Sequence, residues 1–537
     1  MKLLTKNAED RYQSAFGLKA DLTECQRQWQ ADQIIREFPL GQKDASDRFQ
    51  ISQALFGRED ETLQLLTAFE NARNGACEVV VITGDPGICK SSLVNVLHVP
   101  VAQHNGTFIS GRYLETSSTP YSALIDALRS LIQQLLSESE DSLAETRKKI
   151  QEAIGVNGQV IVSMLPEAER VLGPQPPLQP LSAEEEQNRF NLTLQNFIES
   201  FLSPDRPLVL FLDDIHWGDY ASGTFLQRFA ASHNLHHLLI VGSTRVIETA
   251  PDHPLNVSLQ QFVENGNRVS FIALKPLQLE DLKRLLSQSL NCPLEKSSPL
   301  AEIVLARTGG NPFFVNEFLR ALNSDGLIQF DMAHGGWEWD LAQVQKRRIT
   351  DNAVDLMAGR IRELPDATGE VLKLAACIGY EFDLSTLAAL SRRTRVEIAS
   401  ALRHSLTSGV ILPLTQNYLL AEQAEADSEV RYSFSHVGIQ QGVYNALPES
   451  ERGPIHWQIG QFLLREIPEL EREQRIFELV NHLNIGAASG QSAVDRLELA
   501  QLCLSAGQKA QASAAHEAAY RYLKAGLGHL SALPKLW

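Results

Sequence analysis

The chain of 537 residues carries a formal net charge of −17, with 44% hydrophobic and 21% charged residues. This composition excludes a chain that is disordered over a long span, and the length suggests about three or four domains. The acidic balance disfavours, though it does not exclude, a protein that binds the phosphate backbone of nucleic acids, because such proteins carry a basic patch.

The N-terminal part is predicted to be helical over residues 1–30 and to continue as a linker over residues 31–50. A helix from about 58 to 73 then ends at Gly75, before the apolar strand CEVVVITG. The next segment, SSLVNVLH, is predicted to be a helix that Pro100 ends, since proline breaks the interior of a helix.

Apolar strands and helices continue to alternate as far as residue 275. The segments in chain order are the strand GTFISGRYL, the long helix PYSALIDALRSLIQQLL, a proline-rich loop at 173–180, a helix around 189–202, and the strands PLVLFLDD and LLIVGSTR. Nearly all-apolar strands separated by helices predict an α/β domain over residues 51–275, with a parallel sheet buried on both faces.

Helices dominate the rest of the chain. Leucines at 279, 282, 286 and 290 mark an amphipathic helix, and a second helix is predicted from about Pro299 to Thr308. The predicted domains are a helical lid over 276–349, a winged-helix domain over 350–452 that ends in the extended segments VILPL and VRYSFSH, and the start of a helical-repeat region over 453–537.

The central motif lies between the first strand of the α/β domain and the helix after it. It reads Gly84-Asp85-Pro86-Gly87-Ile88-Cys89-Lys90-Ser91, followed by Ser92. The backbone N–H groups of such a P-loop, with the N-terminus of the next helix, form a cradle for phosphate. Lys90 would reach the β- and γ-phosphates of a nucleotide, and Ser91 would hold Mg²⁺.

Cys89 departs from the P-loop pattern, which has glycine at this position. A Cβ there is expected to cost on the order of 1–3 kcal/mol of backbone strain. In nucleotide affinity this corresponds to roughly ten- to more than a hundredfold. For the loop alone, an ordinary turn remains an alternative.

The strand PLVLFLDD supports the phosphate-binding interpretation, because an apolar strand that ends in acid is a Walker B element. Asp213 would contribute to the Mg²⁺ shell, and Asp214 would orient or activate the attacking water. Arg245, which ends LLIVGSTR, is placed to sense the γ-phosphate. Solvated acids at the end of one strand, or a surface arginine, are the alternatives for each residue taken alone.

Two further candidates are weaker. Pro312, in GGNPFF, could stack on adenine, and a turn that caps a helix is the alternative. His436, in FSHVGIQQGVY, follows a predicted strand, where a lone histidine is more often part of the core or the surface.

Taken together, these motifs resemble those of STAND-type signalling ATPases. The segment Phe56-Gly57-Arg58-Glu59, the P-loop, LDDIHW, the strand ending in Arg245, GNPFF and FSH follow one another in that family's order. The likeness is greatest to the ATPase region of large bacterial proteins that join a Ser/Thr kinase, this ATPase, helical repeats, a GAF sensor and a histidine kinase. It implies an α/β P-loop NTPase core with a parallel sheet, followed by a helical lid, a winged helix and an α-helical repeat region.

The resemblance also implies roles for individual residues. Gly57, Arg58 and Pro312 would contribute to the nucleotide site, and His436 would contact the bound diphosphate from a winged helix that acts as a lid. Val437 and Gly438 stand where the family has an Asp-Arg pair. With Cys89, this departure points toward a weakly binding switch.

Residues 1–30 resemble the last helices of a protein kinase domain, with Arg11 at the position of its bracing arginine. The glycine-rich loop, the H-R-D motif and the D-F-G motif are absent, so the chain itself is not expected to phosphorylate proteins. We therefore expect a fragment, or a shortened product, that lacks the kinase catalytic parts and the downstream sensors.

The six cysteines show no C-x-x-C spacing, which favours reduced thiols over a zinc or disulfide site. Neither a membrane-length apolar run nor a signal peptide is present in the sequence, so a cytoplasmic location is predicted. The expected partners are ATP or ADP with Mg²⁺, proteins that bind the helical repeats, and the kinase and sensor domains of a larger protein.

Several functions remain open at this point. A regulatory ATPase with slow turnover would switch between states of different affinity for ATP and ADP. A nucleotide-free scaffold would follow if Cys89 had ended binding. A DNA-binding ATPase of the replication-initiator kind is disfavoured by the charge, and a protein kinase lacks its motifs.

Overall fold

The computed structural model describes residues 2, 11–12, 14–41, 49–113, 119–230, 232, 235–245, 259–260, 262–264, 266, 268–331, 335–346, 365–415, 417–418, 430–488 and 493–531. The chain divides into two compact units. The first combines residues 1–61, 87–93 and 274–353, and the second combines 62–86, 94–273 and 354–537.

The helices of the described residues are numbered here in chain order. They are α1 Ala15–Asp32, α2 Glu59–Arg73, α3 Lys90–Val94, α4 His98–Gln103, α5 Ser122–Leu136, α6 Glu140–Ile154, α7 Gly158–Met164, α8 Glu169–Leu172, α9 Ala183–Glu199, α10 Tyr220–Ala230, α11 Leu279–Ser289, α12 Leu294–Thr308, α13 Pro312–Ser324, α14 Leu341–Lys346, α15 Asp366–Ile378, α16 Leu384–Ser391, α17 Arg395–Thr407, α18 Val437–Ala446, α19 Glu449–Glu466, α20 Glu469–Arg472, α21 Ile476–Gly486, α22 Ala493–Ala512 and α23 His516–Ser531.

A five-stranded parallel sheet forms the centre of the second unit, in the order β2-β3-β4-β1-β5. Its strands are β1 Cys77–Thr83, β2 Thr107–Arg112, β3 Leu208–Asp213, β4 Leu238–Thr244 and β5 Arg268–Ala273. The three central strands are buried along almost their whole length, which explains why their sequences are nearly all apolar. The predicted α/β fold is therefore confirmed.

The strand register brings three of the sequence motifs to one edge of this sheet. Thr83, the last residue of β1, pairs with Thr244 of β4, and Arg112 of β2 pairs with Asp213 of β3. Because all these strands run parallel, the residues that follow them leave from the same carboxyl edge. Gly84, Asp214 and Arg245 each come directly after one of these strands.

Helix α5 packs on the sheet as its leucine pattern predicts. Leu124, Leu128, Leu131 and Leu135 are all buried in the core of the second unit. That core continues into the C-terminal helices, where it includes Ile459, Leu483 and Tyr522.

Two predicted boundaries in the second unit were wrong. Pro100 does not end the helical segment but lies in the first turn of α4, directly after a 3-10 turn over Asn95–Leu97 that separates α4 from α3. Proline crowds the turn that precedes it, and the regular α-helix is interrupted there. The helix predicted from about 189 begins instead at Ala183. Ser182 and Glu185 form a capping box there, which fixes this earlier start.

A smaller antiparallel sheet follows in the second unit, in the order β8-β10-β9. Its strands are β8 Glu381–Asp383, β9 Ile411–Pro413 and β10 Arg431–Phe434. Helix α15 precedes β8, and α16 and α17 lie between β8 and β9. This order of one helix, one strand, two helices and two strands is the winged-helix arrangement expected from the sequence. From residue 437 onward, all regular structure in the described residues is helical.

Two histidines lie against each other among the C-terminal helices. The Nδ1 atoms of His456 and His482 are 2.9 Å apart, and the Tyr444 hydroxyl is 3.0 Å from Nε2 of His456. Burial lowers the pKa of both histidines to about 4, and the proximity of His482 and Arg452 adds to the effect on His456. Both rings are therefore neutral at physiological pH.

This pair predicts an acid-sensitive second unit. Unfolded histidine has a pKa of about 6.5, so between pH 6.5 and about 4 the unfolded chain binds protons that the folded chain does not. Stability is fully present above about pH 6.5 and falls below it, by up to roughly 1.4 kcal/mol per pH unit for each histidine. Urea unfolding at a series of pH values should show this decline. His482→Gln should flatten it, whereas the exposed His516→Gln should not; equal slopes in all three proteins would contradict the assignment.

The first unit has its own apolar core, built by α11, α12 and α13 together with a hairpin of β6 Ile328–Asp331 and β7 Gly336–Trp339. Leu286, Val304, Phe318 and Trp337 are among its buried residues. Helix α12 begins at Leu294, five residues before the predicted start, and accommodates Pro299 within its length. Gly309 ends it in the left-handed conformation, as predicted.

Candidate functional site

The P-loop begins at the carboxyl edge of the parallel sheet. Gly84, Asp85 and Pro86 follow β1 directly and belong to the second unit, and the side chains of Asp85 and Pro86 are exposed. Six residues after Gly84, Lys90 opens helix α3. The sequence GDPGICKS thus connects a buried parallel strand to a helix N-terminus, which is the local structure that phosphate binding requires.

Gly87 contacts the turn at residues 311–313, and both belong to the first unit. Its carbonyl accepts a hydrogen bond from the Phe313 N–H at 3.2 Å, and its φ is +81°. A Cβ at this position would lie 2.7 Å from Cβ of Phe313 and 2.9 Å from Oδ1 of Asn311. Glycine is therefore required here both by the backbone conformation and by the lack of space.

Cys89 adopts the conformation of the glycine that it replaces, with a φ of +69°. This left-handed region is unfavourable for a residue with a Cβ, and cysteine has no local hydrogen bond that eases it as asparagine does. The thiol points back over the loop, with Sγ 3.7 Å from the Gly87 carbonyl oxygen. Burial raises the pKa of the Cys89 thiol, and the opposing influence of Ser92, Arg58 and Lys90 does not cancel it.

Arg58 and Gly57, singled out by the family resemblance, lie in the first unit. The Arg58 side chain is almost fully buried, and its guanidinium donates to the Lys275 carbonyl and, at 3.3 Å, to the Gly57 carbonyl. Glu61 is 3.7 Å away as a partial counter-charge. Arg58 thus ties the segment before α2 to the segment that follows β5.

The GNPFF segment forms the N-terminus of α13. Asn311 is the N-cap residue, its side chain accepts from the Phe313 N–H at 3.1 Å, and Pro312 occupies the first helical position. Pro312 is buried. The capping turn considered as the alternative is present, and through Phe313 this turn also binds Gly87.

Asp213 is the most strongly constrained of the predicted site residues. Its side chain is only 6% exposed. Arg112 donates to Oδ2 from Nε at 3.0 Å and also from Nη2, and the Ser243 hydroxyl donates to Oδ1. Neither partner could be predicted from the sequence, because only the strand order places the ends of β2 and β4 on either side of β3.

Asp214 follows in the left-handed conformation, with a φ of +56° that aspartate tolerates better than most residues. Its backbone N–H donates to the Ser243 hydroxyl at 3.1 Å, and its carboxylate lies 3.9 Å from Nε of Arg112. The Arg245 guanidinium lies 5.9 Å from the centre of the Trp217 ring. The two carboxylates and Arg112 therefore meet at this edge of the sheet, and Arg245 lies beside Trp217.

His436 caps the helix that follows the small antiparallel sheet. Its Nδ1 accepts from the Gly438 N–H at 3.0 Å, and α18 begins at the next residue. Capping of α18 is a sufficient structural reason for a histidine at this position. Contact of His436 with a diphosphate remains a prediction.

The side chains predicted to bind Mg²⁺ are of the types that this ion prefers. Mg²⁺ is commonly bound through one or two carboxylates together with the phosphates of a substrate, and a P-loop serine hydroxyl supplements them. In the second unit Asp213 has a buried carboxylate, and in the first unit Ser91 has a hydroxyl in the first turn of α3.

Among the described residues, no helix has the length and apolar character needed to cross a membrane.

Comparisons with known proteins agree with this chemistry. The AAA ATPase domain family matches residues 54–241. The hybrid signal transduction histidine kinase G of Dictyostelium discoideum is 27% identical over 98% of this chain and 19% of its own length. The peroxide stress-activated histidine kinase mak3 of Schizosaccharomyces pombe is 20% identical over 76% of this chain and 21% of its own length.

The chain thus spans about a fifth of the length of these curated relatives, which are eukaryotic histidine kinases. Among solved structures, a signal transduction ATPase with numerous domains (STAND) and a tetratricopeptide repeat sensor, from Pyrococcus horikoshii, aligns with a TM-score of 0.44 and 14% identity. The alignment covers 89% of this chain and 59% of that protein. Residues 54–241 of the chain match the AAA ATPase domain family, and they contain the P-loop segment and strands β1 to β3 of the parallel sheet.

Proposed function

We propose that the chain is the ATP-binding regulatory module of a larger signalling protein, in which bound nucleotide selects between conformations. One observation carries this proposal: the loop from β1 leads into Lys90 and Ser91 at the start of a helix, and Asp213 ends β3 at the same edge of the sheet from which that loop departs. A lysine, a hydroxyl and a buried carboxylate in this order are what Mg·ATP binding requires.

Each site residue has a role in this proposal. The backbone of residues 84–92 binds the phosphates and Lys90 neutralises their charge. Ser91 and Asp213 hold Mg²⁺, which supplies charge neutralisation at the phosphates when bound. Asp214 orients water, and Arg245 senses the γ-phosphate. Hydrolysis is slow or impaired, because the strain at Cys89 weakens the grip of the loop.

The signalling role rests on the relatives. The two relatives described above carry signal transduction or stress activation in their names, and the chain matches only a fifth of each. Kinase and sensor domains of a larger protein, and proteins bound by the C-terminal helices, are the partners that this arrangement would serve. A cytoplasmic location and the domain boundaries given above belong to the same proposal.

A nucleotide-free scaffold is the second candidate, and the left-handed Cys89 is the observation that favours it. If the loop cannot hold this conformation against phosphate, the fold would persist as an interaction platform. Direct measurement of binding separates the two candidates.

Calorimetry of the whole chain with Mg·ATP and Mg·ADP is the test. We expect binding, and we expect Lys90→Ala to weaken it by roughly ten- to a hundredfold, since a charged hydrogen bond to phosphate contributes about 1.5–3 kcal/mol. Lys149→Ala is a matched control, because Lys149 lies exposed on α6 and pairs with Glu145 one turn away. Absence of binding by the native chain would favour the scaffold.

A further inference from the structure

Arg112 lies against the carboxylate on which the proposed Mg²⁺ site depends. The carboxylate expected to hold Mg²⁺ already carries a cation, because Arg112 binds Oδ2 of Asp213 through two nitrogens. This pairing follows from the sheet, since Arg112 and Asp213 are register partners at the ends of neighbouring parallel strands. A guanidinium cannot be deprotonated in a protein, so this positive charge is permanent.

The pair lies where solvent screens it poorly. Side-chain exposure is 29% for Arg112 and 6% for Asp213. A cation that binds Asp213 must therefore either displace the guanidinium or share the carboxylate with it, and both cost affinity. Nε of Arg112 lies 3.9 Å from the Asp214 carboxylate as well. Asp214 is therefore a second acceptor within reach of Arg112 when a cation binds Asp213.

The Arg112 guanidinium also lies close to Tyr380, next to the small antiparallel sheet. Its carbon atom lies 5.2 Å from the centre of the Tyr380 ring, within the range of a cation–π interaction. Tyr380 comes just before β8, and its carbonyl accepts from the Phe434 N–H of β10 at 3.0 Å. Two residues after Phe434, His436 caps α18.

We propose that Arg112 is a positioning residue that couples the occupancy of Asp213 to the small antiparallel sheet. Without a metal, Arg112 neutralises Asp213 and rests on Tyr380. When a divalent cation binds at Asp213, the guanidinium is released and its contact with Tyr380 changes, which alters the end of β10 and the start of α18. This inference rests on the proposed function and specifies how its site is regulated.

The first measurement compares the affinity for ATP with excess Mg²⁺ and with chelator, in the native chain, Arg112→Ala and Arg112→Lys. Removal of the guanidinium frees Asp213 for the metal and also removes a cation that attracts metal-free ATP. We therefore expect the ratio of the two affinities to rise on the order of tenfold in Arg112→Ala, a usual size for coupling between sites. Arg112→Lys keeps the charge and should stay near the native ratio.

The second measurement follows amide hydrogen exchange over residues 430–446 with and without Mg·ATP. We expect a nucleotide-dependent change in the native chain and in Tyr380→Phe, which keeps the aromatic face. Tyr380→Leu should bind Mg·ATP and lose the change in exchange.

The outcomes separate the two proposals. A chain that binds no ATP with or without Mg²⁺ overturns the proposed function and this inference together. Suppose instead that the chain binds ATP but the ratio of its affinities with Mg²⁺ and with chelator is the same in Arg112→Ala as in the native chain. That result overturns only the inference. It includes the case in which both affinities fall equally, which a purely structural role of Arg112 would produce.

Discussion

Replacement of Cys89 by glycine is expected to tighten the binding of Mg·ATP by roughly ten- to a hundredfold. Cys89 has a φ of +69° in a loop whose backbone N–H groups would surround the phosphates. In the free chain, small movements of the loop can relieve part of this strain, whereas a bound phosphate would hold the loop in the strained conformation. The strain, on the order of 1–3 kcal/mol, therefore appears as lost affinity that glycine restores. Calorimetry of the native chain beside Cys89→Gly measures the gain.

The same replacement should leave the stability of the folded chain nearly unchanged. Only the part of the left-handed strain that remains in the free chain, about 0.5–1 kcal/mol, is relieved, and the greater freedom of glycine in the unfolded chain takes back a similar amount. Cys89→Ala is the matched control, because it removes the sulfur and keeps the Cβ. If Cys89→Ala tightened binding as much as Cys89→Gly, the sulfur and not the backbone would be responsible.

The sequence was sufficient to predict the α/β core because its signals are local and redundant. The buried strands β1, β3 and β4 are continuous apolar runs, and the glycine-rich segment after β1 and the acids after β3 each follow a strand end directly. These motifs depend on neighbours in the chain, which a sequence displays. The departure at Cys89 could be located from the same motif, and its conformation is the one that the missing glycine would adopt.

The partners of Asp213 could not be predicted in the same way. Arg112 is 101 residues from Asp213 in sequence, and Ser243 is 30 residues from it. Both meet Asp213 only because β2 and β4 flank β3, and the sequence contains no local signal for that strand order. Without the order of the strands, nothing in the segment GRYL distinguishes Arg112 from a surface arginine.

The predicted helix boundaries were wrong for a different reason. Pro100 and Pro299 lie inside or near the beginning of helices that the sequence analysis ended or began at the proline. Proline removes only the hydrogen bond from its own nitrogen and crowds the preceding turn, so a helix can continue through it at the cost of that bond. Pro299, the sixth residue of α12, is such a case. Capping decides such boundaries, and the cap at Ser182 became clear only with the backbone geometry.

Of the substitutions proposed, Gly111→Ala is expected to lower the free energy of unfolding the most. Gly111 lies in β2 beside Arg112, and a Cβ there would lie 1.7 Å from the Ala123 carbonyl oxygen and 2.6 Å from its carbonyl carbon. These are backbone atoms of α5, a helix fixed by its buried leucines, so no side chain can move aside. Overpacking usually costs about 1–3 kcal/mol, and we expect at least about 3 kcal/mol for this contact. Urea unfolding monitored by circular dichroism gives the difference.

Gly369→Ala provides a control with the opposite sign. Gly369 lies in α15, and a Cβ there would meet no atom within 4 Å. Alanine favours a helix over glycine, so this variant should gain about 0.5–1 kcal/mol. Gly111→Ala should also disturb the pairing of Arg112 with Asp213, because α5 and β2 must separate to admit the methyl group. A Gly111→Ala protein as stable as the native chain would show that α5 does not lie against β2 as described, and the position assigned to Arg112 would then be wrong as well.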